Sequence, residues 1–241
     1  MINTKDQATS VDPTTTNSLR WTNSLQMEFV PIPGTEVMFS IWDTRVSDYQ
    51  AYANTNSGVD PGWKEPGFPQ DQTHPAVNVS WDNAQAFCAW LTKKERREGK
   101  IRAGQRYRLP TDAEWSVAVG LQGERAGMPD EKNVGVQGVY PWGTQFPPPK
   151  GAGNYSPSLG VDDYDYTSPV GSFDANQHGL YDMGGNVLQW CEDWYDGQQE
   201  CRVLRGASWG NYGSTNLLSS RRFKCSPGDF CNSFAFRCVL V

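Results

Sequence analysis

The sequence predicts an α+β protein with a loop-rich middle, and three observations predict it. Apolar residues at helical spacing, with recognisable start signals, are confined to the first half of the chain. From Gly120 to Phe173 the text is Gly, Pro, Asp and Tyr with little periodicity, which is long loop. Short runs of β-branched and aromatic residues follow, and these are expected to pair as antiparallel strands. Ten Trp, ten Tyr, ten Phe, 24 Gly and 16 Pro in 241 residues fit many turns stitched onto aromatic anchors better than long regular elements.

Residues 1–20 are polar and are expected to be a flexible lead-in. Residues 21–241 are expected to form a single domain, because no linker or internal repeat divides them. Thr44 is placed to cap a short helix through "RVSDYQAYA", where Val46, Tyr49 and Ala53 share a face. Ser80 opens "SWDNAQAFCAWLTKKE", in which Ala84, Phe87, Cys88 and Leu91 recur at helical spacing. The basic run "KKERREGKIR" from Lys93 follows that helix and is broken by glutamates, so it reads as a solvated helix end. In "LPTDAEWSVAVG", Thr111 and Glu114 form the T-x-x-E of a capping box, and Gly120 closes the helix. Strand signals come last, in "NVLQW", "RVLRGASW" and the terminal "FAFRCVLV".

A net charge of −6 and a pI near 5.0 argue against nucleic acid as a partner, since a phosphate-binding surface needs clustered Lys and Arg. No stretch approaches the roughly 18 apolar residues of a membrane span. The polar N-terminus lacks the apolar core of a signal peptide. That places the protein at the cell surface or outside the cell if an export signal has been replaced by a methionine, and in the cytoplasm otherwise. Six cysteines without a C-x-x-C pair do not form a zinc site.

The stretches "NVSWDNAQAFCAWL", "YRLPTDAEWSVA", "YPWG", "PVGSF", "GLYDMGGNVLQWCEDWY", "RVLRGASW" and "FRC" stand in the order seen in the formylglycine-generating-enzyme (sulfatase-modifying factor) family, which the chain resembles from about residue 24 to 241. The resemblance implies an elaborated C-type-lectin fold. It also implies structural Ca2+ at two places. One matches Asp182, Gly185, Val187 and Gln189, where Gln189 stands in place of the family's usual glutamate and removes one negative charge. The other matches Asn154, Tyr155, Asp162 and Tyr164, with the tyrosines contributing carbonyls and Asp163 and Asp165 as spare ligands. Calcium takes six to eight oxygens, carbonyls can supply several, and glycine lets the backbone turn inward around an ion. The resemblance further implies that Cys88 and Cys238 form a disulfide, while the pairing of Cys191, Cys201, Cys225 and Cys231 stays open.

Catalytic members of that family oxidise a substrate cysteine to formylglycine on copper held by two thiolates. Both lie in the segment after an "RGGS"-like motif, here "RGASWGNYGSTNLLSSRRFK", which contains no cysteine, so no copper is expected. Another branch forms sulfoxides with iron held by histidines of a separate helical domain, but this chain has only His74 and His178. No G-x-S-x-G supports serine hydrolysis either. Binding therefore leads over catalysis. The alternative is a formylglycine-generating-enzyme-like oxidoreductase or an accessory protein in a modification pathway.

The same fold occurs in variable proteins of diversity-generating retroelements, whose final segment is altered by adenine-directed mutation. Such mutation of AAY codons reaches every amino acid except Lys, Trp, Glu, Met and Gln, and between Gly210 and Phe236 only Lys224 falls outside that set. Tyr, Asn, Ser and Gly in this segment also resemble an adaptable paratope. The expected ligand-binding residues are Asn211, Tyr212, Ser214, Asn216, Phe223, Asp229, Phe230 and Asn232, with Tyr212, Phe223 and Phe230 as anchors on one face. Arg205, Trp209, Phe236 and Arg237 are expected to be buried scaffold flanking it. The partner would be an unknown protein or a cell-surface ligand.

Overall fold

The computed structural model describes residues 20–241, so the lead-in expected at residues 1–20 lies outside it except for Arg20. Five short strands form the first sheet: β1 (Trp21–Thr22), β2 (Glu28–Pro31), β3 (Met38–Ser40), β4 (Tyr107–Arg108) and β9 (Val239–Leu240). Their order is β1-β2-β3-β9-β4, all antiparallel, so the C-terminal strand is inserted between two strands from the first half of the chain. The second sheet, of order β7-β6-β5-β8, holds β5 (Leu188–Trp194), β6 (Arg202–Arg205), β7 (Arg222–Cys225) and β8 (Phe234–Ala235). The pair β5–β8 is parallel, which departs from the wholly antiparallel arrangement expected.

Alternation along the strands sends successive apolar residues to opposite faces. Trp190, Leu204 and Leu240 enter one buried cluster, while their chain neighbours Cys191, Val203 and Val239 enter another. Both faces are therefore covered at these positions of β5, β6 and β9, which must be apolar on both sides there. Helices α1 (Val46–Ala53) and α2 (Trp81–Arg97) supply Tyr49, Phe87, Cys88 and Leu91 to the first cluster. Helix α3 (Asp112–Ala118) supplies Trp115 and Ala118 to the second.

Helix starts follow side-chain chemistry. Ser80 Oγ accepts the Asn83 N–H at 3.2 Å, and the basic residues Lys94, Arg96 and Arg97 complement the C-terminal dipole of α2. The basic run is solvated as expected apart from Ile101, which joins the core, and Glu95, which is buried and accepts the N–H and hydroxyl of Ser24. Thr111 and Glu114 close the capping box of α3 in both directions.

Thr44 does not cap α1. It is buried, its N–H donates to Phe236 O and its carbonyl accepts from Ala76, so the helix begins one residue later with the Arg45 N–H donating to Asp48 Oδ2 at 2.9 Å. The terminal run "FAFRCVLV" is also not one strand. It splits at Phe236–Cys238, where Arg237 turns into the space between the sheets, and β8 and β9 join different sheets. The long middle carries only a four-residue helix, α4 (Pro129–Lys132), and a single 3-10 turn (Pro157–Leu159). Among the described residues no helix is long and apolar enough to cross a membrane.

Candidate functional site

The loop from Asn154 to Tyr166 is built to present oxygens. Asn154 is fully buried, and its Nδ2 donates to Tyr166 O at 2.7 Å and to Asn186 Oδ1 at 3.3 Å. That fixes the amide so that Oδ1 is buried without a hydrogen-bond partner. Asp162 receives the N–H of Tyr155 on Oδ2 at 3.0 Å and that of Tyr164 on Oδ1 at 2.9 Å, which ties its carboxylate to the two residues expected to offer carbonyls. A buried amide oxygen with nothing to accept costs about 1–3 kcal/mol, and a hard cation beside Asp162 would offset that. The residues present fit calcium. Asp163 and Asp165 are solvent-exposed.

The turn Asp182–Gln189 answers to different partners. A Cβ on Gly184 would lie 2.0 Å from Pro141 Cγ, and one on Gly185 would lie 2.9 Å from Asn154 O, so the two glycines let the turn lie directly against neighbouring loops. Asn186, at φ 69°, then pins Ser168 through its amide: Oδ1 accepts the Ser168 N–H at 3.0 Å and Nδ2 donates to Ser168 O at 3.1 Å. Gln189 is saturated. Its Oε1 accepts from Trp115 Nε1 and from Arg237 Nε, both at 2.9 Å, and its Nε2 donates to Asp182 O at 2.8 Å. Asp182 Oδ2 accepts the Gly171 N–H and Gly185 O accepts the Val187 N–H, each at 2.8 Å. Burial pushes the Asp182 carboxyl up to about 6, opposed by the Gly171 N–H and Arg237. It pushes Asp43 up to about 8 against the pull of Arg237. This set does not fit calcium as the Asn154 loop does, because Gln189 has no oxygen left to give.

The C-terminal segment divides the expected ligand-binding residues. Tyr212 is 63% exposed and Phe230 53%, so both stand free of the core. Phe223 does not join them. It lies on β7 opposite Leu204, half-buried against the main cluster and beneath the Arg221 guanidinium, whose Cζ is 4.7 Å from the ring centroid. Ser214 and Asp229 are exposed, and Asp229 accepts from Cys225 Sγ. Asn211 Oδ1 is spent on the N–H and hydroxyl of Ser208, Asn216 Nδ2 donates to Tyr212 O, and Asn232 Nδ2 donates to Pro66 O. These three amides shape the loop as well as decorate it.

Sequence reasoning missed the aromatic group beside this segment. Tyr166 is 43% exposed, stacks on Phe68 at 4.6 Å and meets Trp209 edge-on at 5.1 Å. Trp209, expected to be buried, is half-buried, and its Nε1 donates to Asn232 O at 3.2 Å. Arg205, Phe236 and Arg237 are buried as expected. A cavity of about 340 Å³ lined by Trp63, Phe68 and Gln70 opens next to Pro66, which Asn232 holds. The signal available in the sequence was the density of aromatics in "GVDDYDY" and "PGWKEPGFP", which periodicity does not assign to a face.

Three of the thiols, Cys88, Cys191 and Cys225, are poor nucleophiles and ligands at neutral pH. Burial raises Cys88 and Cys191 well above the ordinary thiol value, and burial with Asp229 pushes Cys225 up to about 11. Cys88 Sγ and Cys238 Sγ are in contact at 3.6 Å as free thiols, not bonded as a disulfide.

The model of the sulfatase-modifying factor enzyme 1-like domain matches residues 12–241. An inactive C-alpha-formylglycine-generating enzyme 2 from Bos taurus is 33% identical over 200 residues, covering 73% of this chain and 55% of the relative. The chain therefore spans about half the length of that relative. Among solved structures, PvdO from Pseudomonas aeruginosa aligns with a TM-score of 0.65 at 22% identity, covering 92% of this chain and 97% of that one. Variable protein 1 from Treponema denticola aligns with a TM-score of 0.57 at 21% identity, covering 91% and 97%. Both show the shared fold.

Proposed function

The chain belongs to the family of the sulfatase-modifying factor enzyme 1-like domain, and from that premise we propose that it is a non-catalytic ligand-binding member whose segment 210–234 forms the binding face, in the manner of a diversifiable variable protein. One observation carries this reading. The stretch Gly206–Lys224, where the family's catalytic members hold their copper thiolates, contains no cysteine and instead exposes Tyr212 among Asn, Ser and Gly. Tyr supplies rigid contact area at low entropic cost, and small polar neighbours supply adaptable hydrogen bonds. Tyr166 and Trp209 extend the face from outside the segment, and Phe230 sits on its far loop. Residue exchange at exposed positions would leave the core untouched, because Arg205 and Phe236 anchor both ends.

Two measurements test the reading. A peptide carrying a C-x-P-x-R motif, incubated with the chain, copper and oxygen, is expected to stay unmodified by mass spectrometry, and an aldehyde product would return the protein to the oxidases. An immobilised panel of peptides and glycans is then probed with the native chain and with Y212A/F230A. The double variant is expected to lose at least about tenfold in affinity for whatever the native chain binds, with an unchanged melting temperature. Equal binding by both proteins would move the face elsewhere.

Calcium belongs to the proposal as a structural ion held by Asn154 Oδ1, the Asp162 carboxylate and the carbonyls of Tyr155 and Tyr164. Its part would be to fix the loop that carries Tyr166 to the rim of the face. The orphaned Asn154 oxygen supports it.

A further inference from the structure

The Asp182–Gln189 turn already contains a cation, and it is a side chain. Arg237 is fully buried where the two sheets meet. Besides the bond to Gln189, its Nη1 donates to Ser40 O at 3.1 Å and its Nη2 to Tyr181 O at 2.7 Å, while Asp43 Oδ1, which has no hydrogen-bond partner among the described residues, stands 3.7 Å from Nη2 as an ion pair. One guanidinium thus gathers oxygens from β3, the 181 turn and β5.

The orientation of Gln189 decides what else the site can hold. Its NH2 points at Asp182 O and, at 3.5 Å, at Asp43 Oδ2. The positive end of the amide dipole therefore occupies the place where a metal would need an oxygen. Calcium takes six to eight oxygens, whereas here the Gln189 oxygen is shared by two N–H donors. A glutamate at this position would set a negative oxygen against the Asp182 carbonyl, a clash that an inserted cation would relieve. The amide removes both the clash and the need.

We infer that Arg237 is the resident cation of the centre formed by Asp43, Asp182 and Gln189, so that this turn is pinned across the two sheets without a metal. The chain then has one calcium site to fill, the Asn154 loop. The inference does not depend on the ligand-binding reading.

The test is calcium binding by isothermal titration of the full chain, with elemental analysis. Q189M is expected to bind the same number of calcium ions as the native chain, and D162N to bind none. Loss of one calcium ion in Q189M, or calcium retained by D162N and removed by adding Q189M, would overturn the inference. A native chain that binds no calcium leaves the inference standing and instead rejects calcium at the Asn154 loop. Q189M leaves two buried donors unpaired; should it fail to fold, D162N decides, and calcium that still raises its melting temperature counts against a metal-free turn.

Discussion

Asp112 shows how far a single residue can be from its reasons. Arg205 Nη1 reaches its Oδ1 at 2.5 Å, Lys132 Nζ its Oδ2 at 2.5 Å and Arg222 Nη2 its Oδ2 at 3.0 Å, all in a nearly water-free interior. Burial alone would raise the carboxyl, but Arg205, Arg222 and Lys132 overcome it and hold the carboxyl well below the usual carboxylate range. A group depressed on folding contributes fully above its unfolded value of about 3.9 and loses that contribution as the pH falls through the folded one. D112N leaves Arg205 with no carboxylate partner among the described residues and Arg222 and Lys132 with Glu124 alone, and is expected to cost about 3–5 kcal/mol at pH 7 in urea unfolding. The gap between native and variant should narrow in acid below about pH 4. The neighbouring capping box was legible because Thr111 and Glu114 are three residues apart. The partners of Asp112 were not, because Arg205 and Arg222 lie 93 and 110 residues along the chain. A separation of 48 residues likewise hid Arg237 from Gln189, and with it the reason a glutamine can stand there.

At the scale of elements, α2 carries its own instructions. Its apolar face and the Ser80 cap are local, and S80A is expected to destabilise the protein by about 1 kcal/mol, read as a lower urea midpoint at constant slope. The strands β1, β2 and β3 run two to four residues, too short to show alternation, and although they pair with one another in order, the outer neighbour of β3 is β9 from the far end of the chain. Propensity cannot find a strand whose existence is granted by its neighbour. The split of the terminal run between β8 and β9 escaped for the same reason. Cys88 of α2 and Cys238 before β9 connect the two scales. We expect these thiols to close a bridge when the chain matures under oxidising conditions, worth on the order of 4 to 5 kcal/mol in the chain-entropy account. Thiol counting under denaturing conditions should then find both blocked, and two free thiols would leave a packed pair of core cysteines.

For the molecule as a whole, calcium at the Asn154 loop, as proposed, would couple an ion to the global melt. An ion bound to the native state alone, at a hundredfold its dissociation constant, adds about 2.7 kcal/mol. EGTA is therefore expected to lower the melting temperature by roughly 5 to 10 °C for a chain of this size. An unchanged melt would remove calcium from the account of stability. The family's order of motifs made the fold readable from the sequence. The exposed face was only half readable: Tyr212 and Phe230 are where the segment's composition put them, but Phe223 follows sheet register into the core edge, and Tyr166 and Trp209 join from outside.

The seat of β9 between β3 and β4 bears on the order in which the molecule can assemble. Phe39 pairs with Val239 and Arg108 with Val239 on its other side, so the middle of the first sheet stays open until segments from opposite ends of the sequence meet. Closing so long a loop costs entropy before any contact repays it, which sets refolding toward roughly milliseconds to seconds rather than microseconds. Residues 210–234 lie inside that loop and mostly outside the paired strands. Exchanging their exposed side chains should alter the folding rate little, whereas a polar residue at Val239 should slow folding and speed unfolding together. Were residues 210–234 revised as proposed, the seat of β9 would stay the same through every revision.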